Sequence, residues 1–156
     1  MGEVQWKWLE EQLRIPANLR VIGSGIQVVA EAAGQETWAN FPHQQTRLFD
    51  LVKSTFAGGV IFISGDRHWA EISMASDAVA YPLLDATPSS FNQKHARGTP
   101  TRNPFRAIKQ TFHEENFGVI SIEWGVSDPI VTIEVRDLVG KTQLEKTLRL
   151  SELQPR

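Results

Sequence analysis

The sequence predicts an α/β fold, and three observations carry this prediction. An amphipathic segment, a double glycine and a short apolar run follow one another over residues 43–63, which is typical of a helix that leads into a buried strand. Three segments of alternating apolar and polar residues then fill residues 119–150, as in an antiparallel meander. The length of 156 residues suits one domain.

The composition narrows the class of protein further. Hydrophobic residues make up 41% of the chain and charged residues 22%, which is enough apolar surface for a folded core. The near balance of 16 basic and 18 acidic side chains argues against wholesale non-specific binding to nucleic acid, and no specific nucleic-acid partner is predicted. The chain has no cysteine, which excludes disulfides, thiolate metal sites and cysteine catalysis. No apolar stretch reaches the roughly 18 residues of a membrane span, and no export signal is recognisable.

The first elements are a helix and a strand. Residues 4–13 predict an amphipathic helix that ends before Pro16, because large apolar side chains recur there at helical spacing: Trp6, Leu9 and Leu13. Residues 19–22 are rich in β-branched side chains and predict a strand that breaks into a loop around Ser24. Serine hydrolysis through Ser24 is a weaker alternative, because the flanking glycines lack the spacing of a nucleophile elbow.

The second helix is predicted over residues 43–56. One face of it carries four apolar side chains: Leu48, Leu51, Val52 and Phe56. Gly58 and Gly59 end this helix, and the unbroken apolar run of residues 60–63 predicts a strand that is covered on both sides.

A long loop is predicted beyond Glu71, where the regular pattern weakens until Phe117. No acidic residue lies between Asp85 and Glu114, whereas five basic residues do: Lys94, Arg97, Arg102, Arg106 and Lys109. A solvated loop is the favoured interpretation, and a segment that attracts anionic phosphate substrates is the alternative.

Asp66 and His68 are the strongest candidates for chemistry. They follow the buried strand of residues 60–63, and ligands of open α/β sheets bind just beyond the carboxyl ends of strands. In an extended backbone, side chains two residues apart point to the same side, so these two would converge. A carboxylate beside an imidazole suits zinc, iron or manganese, and the carboxylate also suits calcium. The alternative is a turn-capping aspartate beside an ordinary histidine.

Nearby polar residues receive structural interpretations. Arg67 is expected to point away from Asp66 and to form a structural ion pair. Glu71 is expected either to contact the metal ligands without binding the metal or to face solvent. His95 and His113 are weaker candidates as additional metal ligands.

Residues in several segments together resemble the PhoD-like metallophosphatases, a branch of the calcineurin-like phosphoesterases. Residues 64–68 match the family's Ser-Gly-Asp-x-His motif. Further matches run in order along nearly the whole chain: Gln5, Trp8, Leu9, Leu13, Ser24, Ile26, Gln27, Glu36, Trp38, Phe41, Pro42, Arg47, Leu48 and the Asn116-Phe117-Gly118-Val119-Ile120 segment. Residues 87–91 only loosely follow the family's Thr-Ser-Ser-Gly-Leu, so no role is carried onto them.

The resemblance implies a fold and a function. Residues 1–156 would form a single partial domain, the C-terminal portion of a two-sheet α/β/β/α sandwich that ends in a β meander. Asp66 and His68 would be metal ligands of an enzyme that hydrolyses phosphate mono- or diesters, with iron, calcium, manganese or zinc as the ions. The family's other ligands lie in segments that this chain does not contain, so the chain alone is expected to be inactive. Members are often exported, but the compartment of this protein stays open.

A different class of function remains as an alternative. The chain would then be an inactive module that binds or self-associates through an exposed sheet edge, since an unpaired edge strand is a template for further pairing.

Overall fold

A computed structural model describes residues 1–93 and 102–155 of the chain. In these residues two α-helices, α1 (Glu3–Arg14) and α2 (Pro42–Ser54), accompany seven strands in two sheets. The predicted mixture of helix and strand is therefore confirmed. Neither helix combines the length and the apolar character that crossing a bilayer demands, within the residues described.

The first sheet has four strands in the order β1-β2-β4-β3. Its strands are β1 (Arg20–Gly23), β2 (Val60–Ile63), β3 (Ala70–Ala75) and β4 (Leu83–Pro88). β1, β2 and β4 are parallel to one another, whereas β3 runs antiparallel to β4. The carboxyl ends of the three parallel strands therefore lie along one edge of the sheet.

The two helices pack onto this sheet through the apolar faces that the sequence predicts, with one exception. Trp6, Leu9 and Leu13 of α1 are buried, as are Leu48 and Val52 of α2. Phe56 is the exception, because α2 ends at Ser54 and Phe56 adopts a left-handed backbone with φ of 53°. Its side chain is consequently 77% exposed, and its predicted place on the buried face is wrong.

Strands β3 and β4 occupy a segment that the sequence pattern does not mark as regular. Glu71 and Ser73 in β3 and Asp85 in β4 interrupt the apolar pattern, yet all three side chains are fully buried. Each of them hydrogen-bonds to a neighbouring segment, which allows a polar side chain in the interior. The prediction of irregular chain between Glu71 and Phe117 is therefore wrong for these two strands.

The second sheet is an antiparallel meander of β5 (Asn116–Glu123), β6 (Ile130–Asp137) and β7 (Thr142–Arg149), as predicted. Its inward side chains, among them Val131, Ile133 and Leu144, belong to the same hydrophobic core as the residues of the first sheet. One core therefore holds both sheets together.

The connection from α2 into β2 is tightly constrained. Gly59 has a φ of 67°, and a Cβ on it would lie 2.3 Å from the carbonyl oxygen of Asn18. Two residues earlier, the carbonyl oxygen of Ala57 accepts a hydrogen bond from the buried Tyr81 hydroxyl. Glycine is therefore required at position 59 by both conformation and space.

Candidate functional site

The candidate site is the turn of residues 64–69, which joins β2 to β3 at the edge where the parallel strands end. Ser64 lies one residue beyond β2 and is buried beneath this turn. The strands on both sides of β2 end at the same level, because Ile63 pairs with Gly23 of β1 and with Ala86 of β4. The sequence therefore places this turn correctly at the carboxyl edge of the sheet.

The backbone of the turn differs from the extended chain that the sequence argument assumed. Asp66 and His68 have φ values of 70° and 56°, in the left-handed region that residues other than glycine seldom occupy. Strand alternation therefore does not apply here, and the convergence argument based on it is wrong. The Asp66 side chain is exposed and His68 is half-buried.

Arg67, between the two candidates, is turned into the protein and 7% exposed. Its guanidinium donates a hydrogen bond to Gln35 Oε1 at 2.6 Å and lies 4.6 Å from the ring centre of Trp69. Burial lowers the pKa of Arg67, whereas the charges of Glu71 and Asp66 oppose this shift. The hydrogen bond and the cation–π contact agree with the structural interpretation of Arg67.

Asp85 of β4 lies beneath the turn and is completely buried. Its Oδ2 atom accepts hydrogen bonds from the backbone N–H groups of Val28 (2.6 Å) and Val29 (3.0 Å), and its Oδ1 atom accepts one from the Ser64 hydroxyl (2.6 Å). Burial raises the pKa of Asp85, and the hydrogen bonds oppose this rise. Asp85 thus joins the chain after β1 to the start of the candidate turn.

The hydrogen bonds continue from Ser64 to a second buried carboxylate. The single hydroxyl hydrogen of Ser64 is used in its hydrogen bond to Asp85. The Thr87 hydroxyl, 2.9 Å from the Ser64 oxygen, is therefore the donor in the bond between Thr87 and Ser64. Thr87 accepts in turn from Gln27 Nε2 (3.1 Å), which also donates to Glu71 Oε1 (2.6 Å). The result is a directional network of buried side chains that links β2, β3, β4 and the chain after β1.

Glu71 is buried, so of its two expected positions the one facing solvent is wrong. Its Oε2 atom forms an ion pair with Arg106 Nε at 2.7 Å, and Arg106 is itself mostly covered. Arg106 was expected in a solvated basic loop, but it neutralises a carboxylate of the interior instead. Sequence reasoning also missed Asp85, although a lone aspartate inside the apolar run of residues 83–86 was the available signal.

The remaining histidines do not add a third metal ligand in the part of the chain that the structure describes. His95 lies outside the described residues, together with Lys94 and Arg97 of the basic segment. His113 contacts the Trp69 ring edge-on at 5.0 Å between ring centres, and its Nε2 atom is 2.8 Å from the Thr111 hydroxyl. Across residues 1–93 and 102–155, no group of three histidine, aspartate or glutamate side chains is arranged to hold a metal ion.

Asp66 and His68 therefore remain two candidate ligands, and the described residues supply no group of three. Carboxylate oxygen and imidazole nitrogen are suitable donors for the ions considered, and within the described residues neither side chain forms a hydrogen bond. Catalytic metal sites commonly take about three protein ligands, so additional donors would have to come from elsewhere.

Ser24 is bonded as a structural residue. Its hydroxyl donates to the Ile26 carbonyl oxygen at 2.7 Å and accepts from Trp38 Nε1 at 3.1 Å. No histidine contacts it among these bonds, which disfavours the serine-hydrolase alternative.

Comparison with solved structures shows a likeness in fold. No family model and no curated protein match the sequence. The solved structure of PhoD is similar to this chain with a TM-score of 0.61 and 14% sequence identity, over 95% of this chain and 32% of the PhoD chain. The chain has a PhoD-like fold. This chain spans about a third of the PhoD chain's length, and at 14% identity the likeness to PhoD concerns the fold alone.

Proposed function

We propose that this chain is part of a metal-dependent phosphoesterase of the PhoD-like kind, which hydrolyses phosphate mono- or diesters when its site is complete. The observation that carries the proposal is the PhoD-like fold, with a Ser-Gly-Asp-x-His turn at the carboxyl edge of the parallel strands. The fold likeness concerns backbone shape, and the motif concerns residue types at one turn.

Asp66 and His68 are the residues proposed to hold the metal. Iron, calcium, manganese or zinc, when bound, would supply an activated water and an electrostatic clamp on the phosphoryl oxygens. The exposure of Asp66 leaves its carboxylate accessible to an ion and to a substrate, whereas the buried Arg67 is engaged with Gln35 and Trp69. Binding of the phosphate ester would therefore depend on the ion that Asp66 and His68 hold rather than on Arg67.

The chain alone is proposed to be inactive, since the described residues supply only two ligands. The first test is calorimetric titration of the folded chain with Mn²⁺ and Zn²⁺. Weak binding is expected that disappears in His68→Ala and Asp66→Asn but persists in His43→Ala. His43 is a suitable control because it is an exposed histidine in the first turn of α2, on a different element from the candidate turn. Binding that is absent, or equal in all variants, would refute the metal site.

The second test is hydrolysis of a chromogenic phosphodiester with the same ions. We expect no turnover by the folded chain. Metal-dependent turnover that is lost in His68→Ala and retained in His43→Ala would establish the phosphoesterase activity and overturn the proposed inactivity of the isolated chain.

Self-association through a sheet edge is the second candidate function, and the position of β1 favours it. β1 is an end strand of the first sheet, and in the described part of the chain no strand pairs with its outer edge. A cleft of about 580 Å³ lies between α1 and β1, and its lining includes Trp8 (54% exposed) and Val21 (48% exposed).

The oligomeric state tests this candidate. If the edge of β1 pairs with another copy, light scattering after gel filtration will show a dimer that Val21→Lys dissociates, because a charge on an edge strand blocks pairing. Val4→Lys is the matched control on α1, at a side chain that is exposed and outside the cleft lining. A monomer at all concentrations would refute self-association.

A further inference from the structure

The candidate turn has an unfavourable backbone conformation that the surrounding structure must hold in place. Asp66 and His68 both lie in the left-handed region, with φ of 70° and 56°. Residues other than glycine in such conformations persist only where neighbouring groups determine them, and they cluster at functional sites. The question is which group holds this turn.

Ser89 is the side chain that bonds to the backbone of the turn. Its hydroxyl oxygen accepts hydrogen bonds from two consecutive backbone N–H groups, those of Arg67 at 2.9 Å and His68 at 3.2 Å. One oxygen atom thus bonds to the two amides that follow Asp66. These bonds involve the backbone alone, so they leave the Asp66 carboxylate and the His68 imidazole available.

The sheet fixes the position of Ser89. Ser89 directly follows Pro88, the last residue of β4, and Pro88 is the register partner of Ala70, the first residue of β3. The turn ends where β3 begins, so Ser89 and the turn meet at the same end of the β3–β4 pair. The Ser89 hydroxyl therefore reaches the turn from the residue that follows a paired strand.

The side chain of Arg67 secures the turn from the other direction. Its hydrogen bond to Gln35 and its contact with the Trp69 ring hold it in the interior. Ser89 thus contacts the backbone of the turn from one side, and the Arg67 side chain contacts the interior from the other.

We propose that Ser89 is the positioning residue of the candidate metal site. It acts through the amides of Arg67 and His68, which it holds so that Asp66 and His68 remain in the conformation that binds the ion. This inference rests on the proposed function, because it assigns the ligand role to Asp66 and His68. It also gives a role to a segment whose sequence departs from the family's pattern.

Two measurements by nuclear magnetic resonance test the proposal. Hydrogen exchange of the Arg67 and His68 amides reports directly on the two bonds to Ser89 without any metal. Paramagnetic broadening by added Mn²⁺ reports on ion binding at the turn, and it detects the weak affinity expected of a two-ligand site. Both are recorded for the parent chain, Ser89→Ala and Ser90→Ala.

Ser90→Ala is the matched control. Ser90 is adjacent in sequence and buried, and its hydroxyl has no hydrogen-bond partner among the described residues. Ser89→Thr and Ser89→Val are a second pair of variants with side chains of equal size. Threonine keeps the hydroxyl and valine lacks it, so this pair tests the same bond if Ser89→Ala folds poorly.

We expect Ser89→Ala to speed exchange of the two amides by about tenfold or more, because each amide loses a partly buried hydrogen bond. Broadening of the turn by Mn²⁺ should weaken in Ser89→Ala and Ser89→Val, and it should be retained in Ser89→Thr and Ser90→Ala. Restoration by threonine distinguishes a requirement for the hydroxyl from a general loss of stability.

Two outcomes overturn the proposal in different ways. If the parent shows broadening at the turn and Ser89→Ala shows the same, the positioning role is wrong while the metal site stands. If the parent shows no broadening at the turn, the proposed metal site fails and the positioning role fails with it, whatever the exchange rates are.

Discussion

Replacement of Asp85 by alanine is expected to destabilise the protein strongly. The change removes the acceptor of two buried backbone N–H groups, those of Val28 and Val29. Each orphaned donor costs about 1–3 kcal/mol, hence roughly 2–6 kcal/mol for both. Relief of the penalty for a buried carboxylate offsets part of this, so a net loss of roughly 3 kcal/mol is expected. For a chain of this length the melting temperature should fall by about 6–12 °C.

Urea unfolding at neutral pH measures the free energy of unfolding of Asp85→Ala, with Asp50→Ala as the control. Asp50 is an exposed aspartate of α2, where substitution should change the free energy by less than about 0.5 kcal/mol. If Asp85→Ala costs less than about 1 kcal/mol, the carboxylate is not what holds the chain after β1, and the argument from unsatisfied donors is refuted.

Asp85→Asn provides the complementary measurement. Its carboxamide oxygen can still accept from the two amides and its N–H can donate to Ser64, so this variant should retain most of the stability. Burial raises the pKa of Asp85 in the folded state, so the folded protein takes up this proton at a higher pH than the unfolded chain. The free energy of unfolding of the parent, relative to that of Asp85→Asn, should therefore be largest below the ordinary pKa of aspartate. This difference should decrease as pH rises through the raised pKa of the folded state.

Three further predictions concern other buried features. Arg106→Met should lower the free energy of unfolding by roughly 3–5 kcal/mol, because it removes the ion-pair partner of the buried Glu71 carboxylate. Glu71→Gln in the same background should recover part of the loss. Burial raises the pKa of Tyr81, the only tyrosine, to about 12, so its ultraviolet titration should begin well above the ordinary pKa of 10.0. The protein should lose stability as pH rises from about 10 to about 12, because the unfolded chain releases this proton first. Gly59→Ala should lower the melting temperature sharply, because a Cβ there meets backbone at a positive φ.

Each of these predictions has an outcome that contradicts it. An Arg106→Met protein as stable as the parent would show that the ion pair does not compensate the buried carboxylate. A native tyrosine titration at the same pH as in urea would show that Tyr81 is solvated. Gly125→Ala, at a position with open space around the added Cβ, is the control for Gly59→Ala, and equal effects of the two would contradict the steric argument.

The sequence predicts much of the fold because its local patterns and its tertiary packing agree there. The apolar faces of α1 and α2, the run of β2 and the alternation of the meander each show the period of their own element. Strands β3 and β4 were not predicted, because their local pattern does not agree with their buried position. Their periodicity is hidden by side chains such as Glu71 and Asp85, whose partners lie far away in sequence.

In the candidate site, too, local features were predictable from the sequence and features that depend on distant segments were not. By itself, the sequence determined that Asp66 and His68 follow a buried strand, since a short apolar run before a Ser-Gly-Asp turn is a local signal. Only the tertiary structure decided their left-handed backbone, the buried position of Arg67 and the bonds from Ser89. These features depend on where the end of β4 meets the turn, and hydrogen bonds between segments some 21 residues apart leave no periodic trace in the sequence.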